Sequence, residues 1–174
     1  MNGSVARYNR LARTLHWIIA ALIVANLLTG LFHDALKPVW QPMPFHKASG
    51  LTILALSLVR LGWRLKWRMP GWPDTMGLHQ RRAAHAVHAL FYGLMIAMPL
   101  TGWAMSSAGT YPLTWFGLFG VPRLPVTKGS TAFAVSHESH ELMGWLFVAL
   151  LALHIGAAVH HRFVVRDGVL RRML

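Results

Sequence analysis

Cysteine is absent from the 174 residues. That removes disulfides, cysteine-ligated iron–sulfur clusters and covalently attached c-type haem in one step, so any iron centre must be held by His, Met or oxygen. Charge is scarce, at 13% of residues, and acidic charge scarcer still, with five Asp and Glu against 17 Lys and Arg. An internal repeat, a low-complexity tract and a nucleotide-phosphate loop are also missing. What fills the chain is apolar: 55% of residues are hydrophobic and eight are Trp, too apolar a composition for a soluble domain of this size.

Four stretches are long enough to cross a hydrocarbon core of roughly 30 Å: 15–32, 48–65, 83–105 and 142–159. The expectation is an all-α membrane protein, a four-helix transmembrane bundle forming a single domain over 1–174. No small-residue cleavage site follows the first apolar run, where Leu31-Phe32-His33-Asp34 is bulky and polar, so it is expected to stay as a span. Pro70-Gly71-Trp72-Pro73 makes a short rigid turn, and 106–136 is the longest non-helical connection.

The basic excess could be mistaken for a nucleic-acid footprint, but its distribution points to the membrane instead. Arg7, Arg10 and Arg13 precede the first span, Arg60, Arg64, Lys66, Arg68, Arg81 and Arg82 bracket the turn between the second and third, and Arg162, Arg166, Arg171 and Arg172 follow the fourth. Only Lys37, Lys47, Arg123 and Lys128 lie in the other two connections. Basic residues gather on the cytoplasmic side, so both termini are expected inside an inner (plasma) membrane, with no nucleic acid as partner.

Histidine then supplies the pattern. His140 and His154 stand fourteen residues apart on the fourth span, a spacing that returns to nearly the same helix face about 21 Å further along. Intramembrane ionisable groups are costly and are kept for ligation or charge transfer. The same step leads from His16 to Gly30, from His46 to Arg60 and from His88 to Gly102. Each span therefore offers one inward residue at each of two depths. His16, Arg60, His88 and His154 share the cytoplasmic depth, and Gly30, His46, Gly102 and His140 the outer one. Two ligand pairs on different helices follow: His16 with His154, and His46 with His140.

A structural zinc site closes a tetrahedron with four ligands, usually including Cys. Two facing imidazoles with space between them suit a six-coordinate haem iron instead. The residues one turn after the four histidines, Ala20, Gly50, Gly144 and Ala158, are small, which leaves room for a flat ring and for close helix approach. A single such histidine is more often a hydrogen-bonded core residue; four in this register point to two stacked centres. Arg60 sits at the inner depth, where a haem propionate would give its guanidinium an anionic partner, although it could also snorkel to the interface. His85 and His88, one turn apart, could replace His16 as ligand, bond a propionate or line a quinone pocket.

At this point the chain resembles the bacterial cytochrome b561 family. The matching segments are Leu15-His16-Trp17, His46-Lys47 with Gly50, Arg60-Leu61, His85-x-x-His88 with Pro99, His140-Glu141 to His154, then His160-His161 and Arg166-Asp167. The resemblance implies a four-helix fold with two b haems, axial ligands His16, His46, His140 and His154, a non-ligand role for His88, and a bacterial inner membrane. It also implies a superoxide:ubiquinone oxidoreductase, with membrane lipid as surroundings. Quinone reduction needs protonatable groups near water; His85, His160, His161 and Asp167 are the candidates, with a cation-rich helix end as the plainer reading of His160-His161. Lys37, Lys47, Arg123 and Lys128 would steer superoxide to the outer mouth, or form an ordinary solvated rim. Two other classes stay open: a haem-bearing anchor that docks a redox partner subunit through 106–136, and a histidine-based transporter or proton channel.

Overall fold

A computed structural model describes residues 7–67, 70–73 and 75–174; Arg68, one of the basic residues counted above, lies outside them. Helices run over Arg10–Leu31 (α1), His33–Leu36 (α2), Pro42–Lys66 (α3), Leu78–Ser107 (α4) and Thr131–His160 (α5). The four long ones are each long and apolar enough to cross a membrane, as expected from the sequence. Each extends past its apolar run because capping groups, not hydropathy, set the ends. The Asn9 side chain accepts the Ala12 N–H at 2.8 Å, the Gln80 side chain accepts the Gly77 N–H at 2.9 Å, and Ser130 accepts the Phe133 N–H at 3.2 Å. Pro42 opens α3, where a missing N–H costs nothing. His79 stands in the first turn of α4, and residues 131–136, expected in the long connection, are already helical.

Packing pairs the helices. α1 packs on α3 and α4 on α5, with α3 against α4 joining the pairs. Ala48, Ser49 and Ser57 have no exposed surface, and Asn26 reaches from α1 to the His46 carbonyl at 2.8 Å and Ser49 Oγ at 2.7 Å; small side chains let these helices approach closely. The core includes Ile23, Ile53, Met95 and Phe147. Each stands seven residues from both inward positions of its helix, so the core forms an apolar layer about 10 Å along the axis from either histidine depth.

The long outer connection contains a hairpin of β1 (Thr114–Trp115) and β2 (Phe119–Gly120), turned by Phe116 and Gly117 at φ 47° and 75°. It lies along α3: the Trp115 indole donates to Thr52 Oγ1 at 3.0 Å, and Phe116 packs 6.0 Å from Phe45. At the opposite end, α5 passes into a wide π-helical turn over His161–Val165, ending on Arg166 at φ 58°. Residues beyond fold back on α1, where the Trp17 indole donates to the Met173 carbonyl at 2.7 Å.

Candidate functional site

The bundle brings His16 to His154 and His46 to His140. Ring centroids are 6.2 Å apart in the first pair and 6.1 Å in the second, with the planes at 75° in both. The helices that carry each pair, α1 with α5 and α3 with α5, are not among the closely packed ones. A macrocycle has space there. Centroid separations of 6.2 and 6.1 Å leave room for one metal ion to be shared between the facing ring nitrogens, so each pair would serve to hold a haem iron. No group of three His, Asp or Glu converges among the described residues, so a closed zinc tetrahedron has no counterpart.

The outer pair is supported by neighbouring backbone. His46 Nδ1 lies 3.0 Å from the Asn26 carbonyl on α1, and His140 Nδ1 lies 3.0 Å from the Met98 carbonyl on α4. Each ring rests against a glycine: a Cβ on Gly30 would come within 2.9 Å of His46 Cε1, and one on Gly102 within 2.9 Å of His140 Cε1. The glycines expected beside the ligands are less constrained, since a Cβ on Gly50 or Gly144 would meet its nearest neighbour at 3.7 or 3.5 Å. The sequence shows no evident repeat, yet Thr29-Gly30 and Thr101-Gly102 place the same step on α1 and α4, fourteen residues after His16 and His88. Sequence reasoning found the glycines and missed the threonines and carbonyls. The recurring Thr-Gly pair was the available signal, too short to read as a repeat.

The inner depth is crowded with aromatic rings. His154 has His16 at 6.2 Å, His88 at 6.0 Å and Phe91 at 5.4 Å, so His88 reaches the same neighbourhood as His16. Arg60 is half-buried and donates to the Ala12 carbonyl at 2.8 Å, one turn before His16. Beside it opens a cleft of about 380 Å³ lined by Arg7, Tyr8, Arg60, Trp63, Arg64 and Tyr92, among others, with the Arg64 guanidinium over the Tyr92 ring at 5.5 Å. Cations without a carboxylate in the lining suit the acidic side chains of a porphyrin. Paired imidazoles, open interhelical space and a basic cleft thus fit b-type haem.

A family model described as prokaryotic cytochrome b561 matches residues 7–174. The chain belongs to the prokaryotic cytochrome b561 family. It is 30% identical over 172 residues to cytochrome b561 homolog 2 of Escherichia coli (strain K12), across 97% of this chain and 91% of that one. Cytochrome b562 of Cereibacter sphaeroides is 29% identical over 175 residues, with 96% and 94% covered. The protein named "Probable superoxide oxidase CybB" of Yersinia pestis is 27% identical over 177 residues, with 97% and 96% covered. Membership makes this chain a bacterial membrane electron-transfer protein of a family that binds b-type haem.

The remaining candidates divide on this b561-type frame. His161 Nδ1 meets Asp167 Oδ2 at 2.6 Å, Thr75 donates to the same oxygen at 3.4 Å, and exposed His160 stands edge-on to His161 at 6.1 Å. His85 is exposed and packs on Trp72 at 4.9 Å, so Trp72 touches α4 while Thr75 touches the residues after α5. On the outer face, Lys37 is paired with Asp34 at 2.6 Å. That bond and His33 hold the Asp34 carboxyl below its usual range. Arg123 donates to the carbonyls of Ser107, Gly109 and Tyr111 and anchors the outer connection. Lys47 is half-buried and Lys128 exposed. His33 Nδ1 lies 3.0 Å from the Gly30 carbonyl.

Proposed function

We propose that this chain accepts electrons one at a time at its outer face, from superoxide, and delivers them to ubiquinone at its cytoplasmic face, with residues 1–174 acting as one unit. One observation carries the reading: facing imidazoles recur at two depths with the same separation and angle. His46 with His140 would hold an outer b haem and His16 with His154 an inner one. A bis-imidazole haem supplies one-electron transfer and offers no open position for substrate.

The protein's own groups do the rest. Arg60 and Arg64 would neutralise propionates in the basic cleft. Ile23, Ile53, Met95 and Phe147 exclude water between the depths, and Phe91 packs on both Phe147 at 5.5 Å and His154 at 5.4 Å. The stoichiometry closes when two superoxide anions each give up one electron to become O2, and one quinone takes both electrons and two protons to become quinol. Those protons need carriers in reach of water; exposed His160 and His85 would take them up, with His161, bonded to buried Asp167, behind His160. The printed name of the Yersinia pestis relative supports the donor, and the uneven spread of basic residues supports the orientation.

The deciding experiment adds a steady superoxide source and a ubiquinone analogue to the purified, haem-loaded chain. Quinol formation beyond that of haem-free protein is expected. If the b-type spectrum is intact and superoxide leaves it oxidised, the docking reading takes over. Its own support is the outer connection, where Tyr111, Leu118 and Phe119 are 78%, 74% and 58% exposed, a surface open to a redox subunit. The transporter reading gives way to electron transfer once the family is known.

A further inference from the structure

The two depths are built differently. At the outer one, both imidazoles are fixed by protein: His46 Nδ1 against the Asn26 carbonyl and His140 Nδ1 against the Met98 carbonyl, each at 3.0 Å. Each carbonyl stands four residues before the glycine on which the ring rests. A threonine hydroxyl lies near the same nitrogen in both cases, Thr29 at 3.5 Å and Thr101 at 3.2 Å. At the inner depth the neighbours are rings instead: Trp17 against His16 at 5.3 Å, and Phe91 and His88 against His154. Among the described residues, no hydrogen bond involves a ring nitrogen of His16 or His154.

A carbonyl only accepts, so at the outer depth Nδ1 carries the hydrogen and the Nε2 lone pair is left for a metal. The same bond fixes the ring's orientation and makes Nε2 a stronger base. A more basic imidazole gives more charge to iron and favours its oxidised state. Among the described residues, no comparable bond fixes the inner rings, which are held by packing against other rings.

We propose that the segments Asn26–Gly30 and Met98–Gly102 are a matched pair of clamps that preform the outer haem site, and that this asymmetry ranks the two centres. The outer centre is the more tightly retained and the lower in reduction potential; the inner one is looser and higher. The proposal rests on the ligand assignment made under the proposed function, and it gives that reading a direction, since an electron accepted outside would move inward downhill. Thr29, Gly30, Thr101 and Gly102 are positioning residues that act through His46 and His140.

A redox titration of the holoprotein, followed by b-type absorbance and low-spin EPR, tests this. His46→Ala and His154→Ala assign the steps. Two steps are expected in the parent, with the lower one missing from His46→Ala. In Gly30→Ala and Gly102→Ala the lower step should move up and its EPR signal change, while the inner signal stays. Haem transfer to apomyoglobin should be slower from the parent's outer site than from its inner site, and about tenfold or more faster from the outer site of the glycine variants than from the parent's. Should the glycine variants fail to accumulate, Thr101→Val and Thr101→Ser provide the comparison without backbone crowding: Val should alter the outer EPR signal alone, and Ser should restore it. Persistence of the lower step in His46→Ala overturns the ranking. An outer signal unmoved in every variant overturns the clamp. If His46→Ala and His154→Ala both keep two haems, the ligand assignment itself fails, and this is recognisable before any potential is measured.

Discussion

His161 Nδ1 lies 2.6 Å from Oδ2 of Asp167, a carboxylate whose side chain has no exposed surface. The contact ties the π-helical turn to the segment after it, and the Val169 N–H completes the arrangement by donating to Oδ1 at 3.1 Å. Burial alone would push the Asp167 carboxyl up, but the Val169 N–H and His161 more than offset it and hold the group below the usual carboxylate range. A depressed carboxyl contributes stability above its unfolded pKa of about 4, and that contribution is lost as pH falls through the lower folded value. Protection from hydrogen exchange across 161–173, with the intrinsic pH dependence of amide exchange divided out, should therefore be flat between pH 8 and pH 5, where the carboxylate stays ionised in both states, and should fall only under stronger acid. Asp167→Asn should loosen the same segment throughout pH 5 to 8, by about 1–3 kcal/mol, and slow quinol formation several-fold with the haem spectrum unchanged. Loss of protection already at pH 6 would mean that another group holds the turn.

Orientation is tested most directly by a reporter fused after Leu174. With 13 of 17 Lys and Arg on one side of the four spans, the reporter should be active in the cytoplasm. Periplasmic activity would invert the inner and outer labels while leaving both histidine pairs in place.

Ligand loss should be selective. His46→Ala or His140→Ala should remove about half of the haem and leave an inner low-spin signal, whereas His154→Ala should leave the outer one. His88 approaches His154 as closely as His16 does, which makes the comparison of His16→Ala with His88→Ala the sharper test. His88→Ala should keep two haems; loss of the inner haem there, with His16→Ala intact, would move the inner pair to His88 and His154.

Superoxide steering is expected to rest on Lys47 and Lys128. Lys37 is paired with Asp34, and Arg123, although still cationic, anchors the connection through three carbonyls, so its removal would disturb the fold as well as the field. Neutralising Lys47 and Lys128 together should slow haem reduction by superoxide and flatten its salt dependence, with haem content intact. Arg123→Met should instead mobilise residues 108–124, seen as faster proteolysis. A rate and salt slope matching the parent in the double lysine variant would dismiss steering.

Much of the bundle was legible because a membrane leaves few options. Backbone groups must be satisfied within each span, so long apolar runs mean helices, and fourteen-residue spacing means one face at two depths. That reasoning placed His16, His46, His140 and His154 on inward faces, along with Gly30 and Gly102. It stopped at helix ends, where Asn9, Gln80 and Ser130 cap turns that hydropathy does not register. It also could not see that Arg123 spends its donors on carbonyls, because carbonyl positions depend on how the connection folds.

Sequence by itself determined the solvent, the helix count and the register, since hydropathy, charge and spacing are properties of single segments. Tertiary structure alone decided how closely the paired histidines approach one another, that His88 comes as near to His154 as His16 does, and that the Asn26 and Met98 carbonyls hold only the outer rings. Each of those depends on the rotation and separation of helices far apart in the chain, and the positions of small residues such as Gly30, Gly102, Ala48 and Ser49 set that approach through packing that no single helix contains.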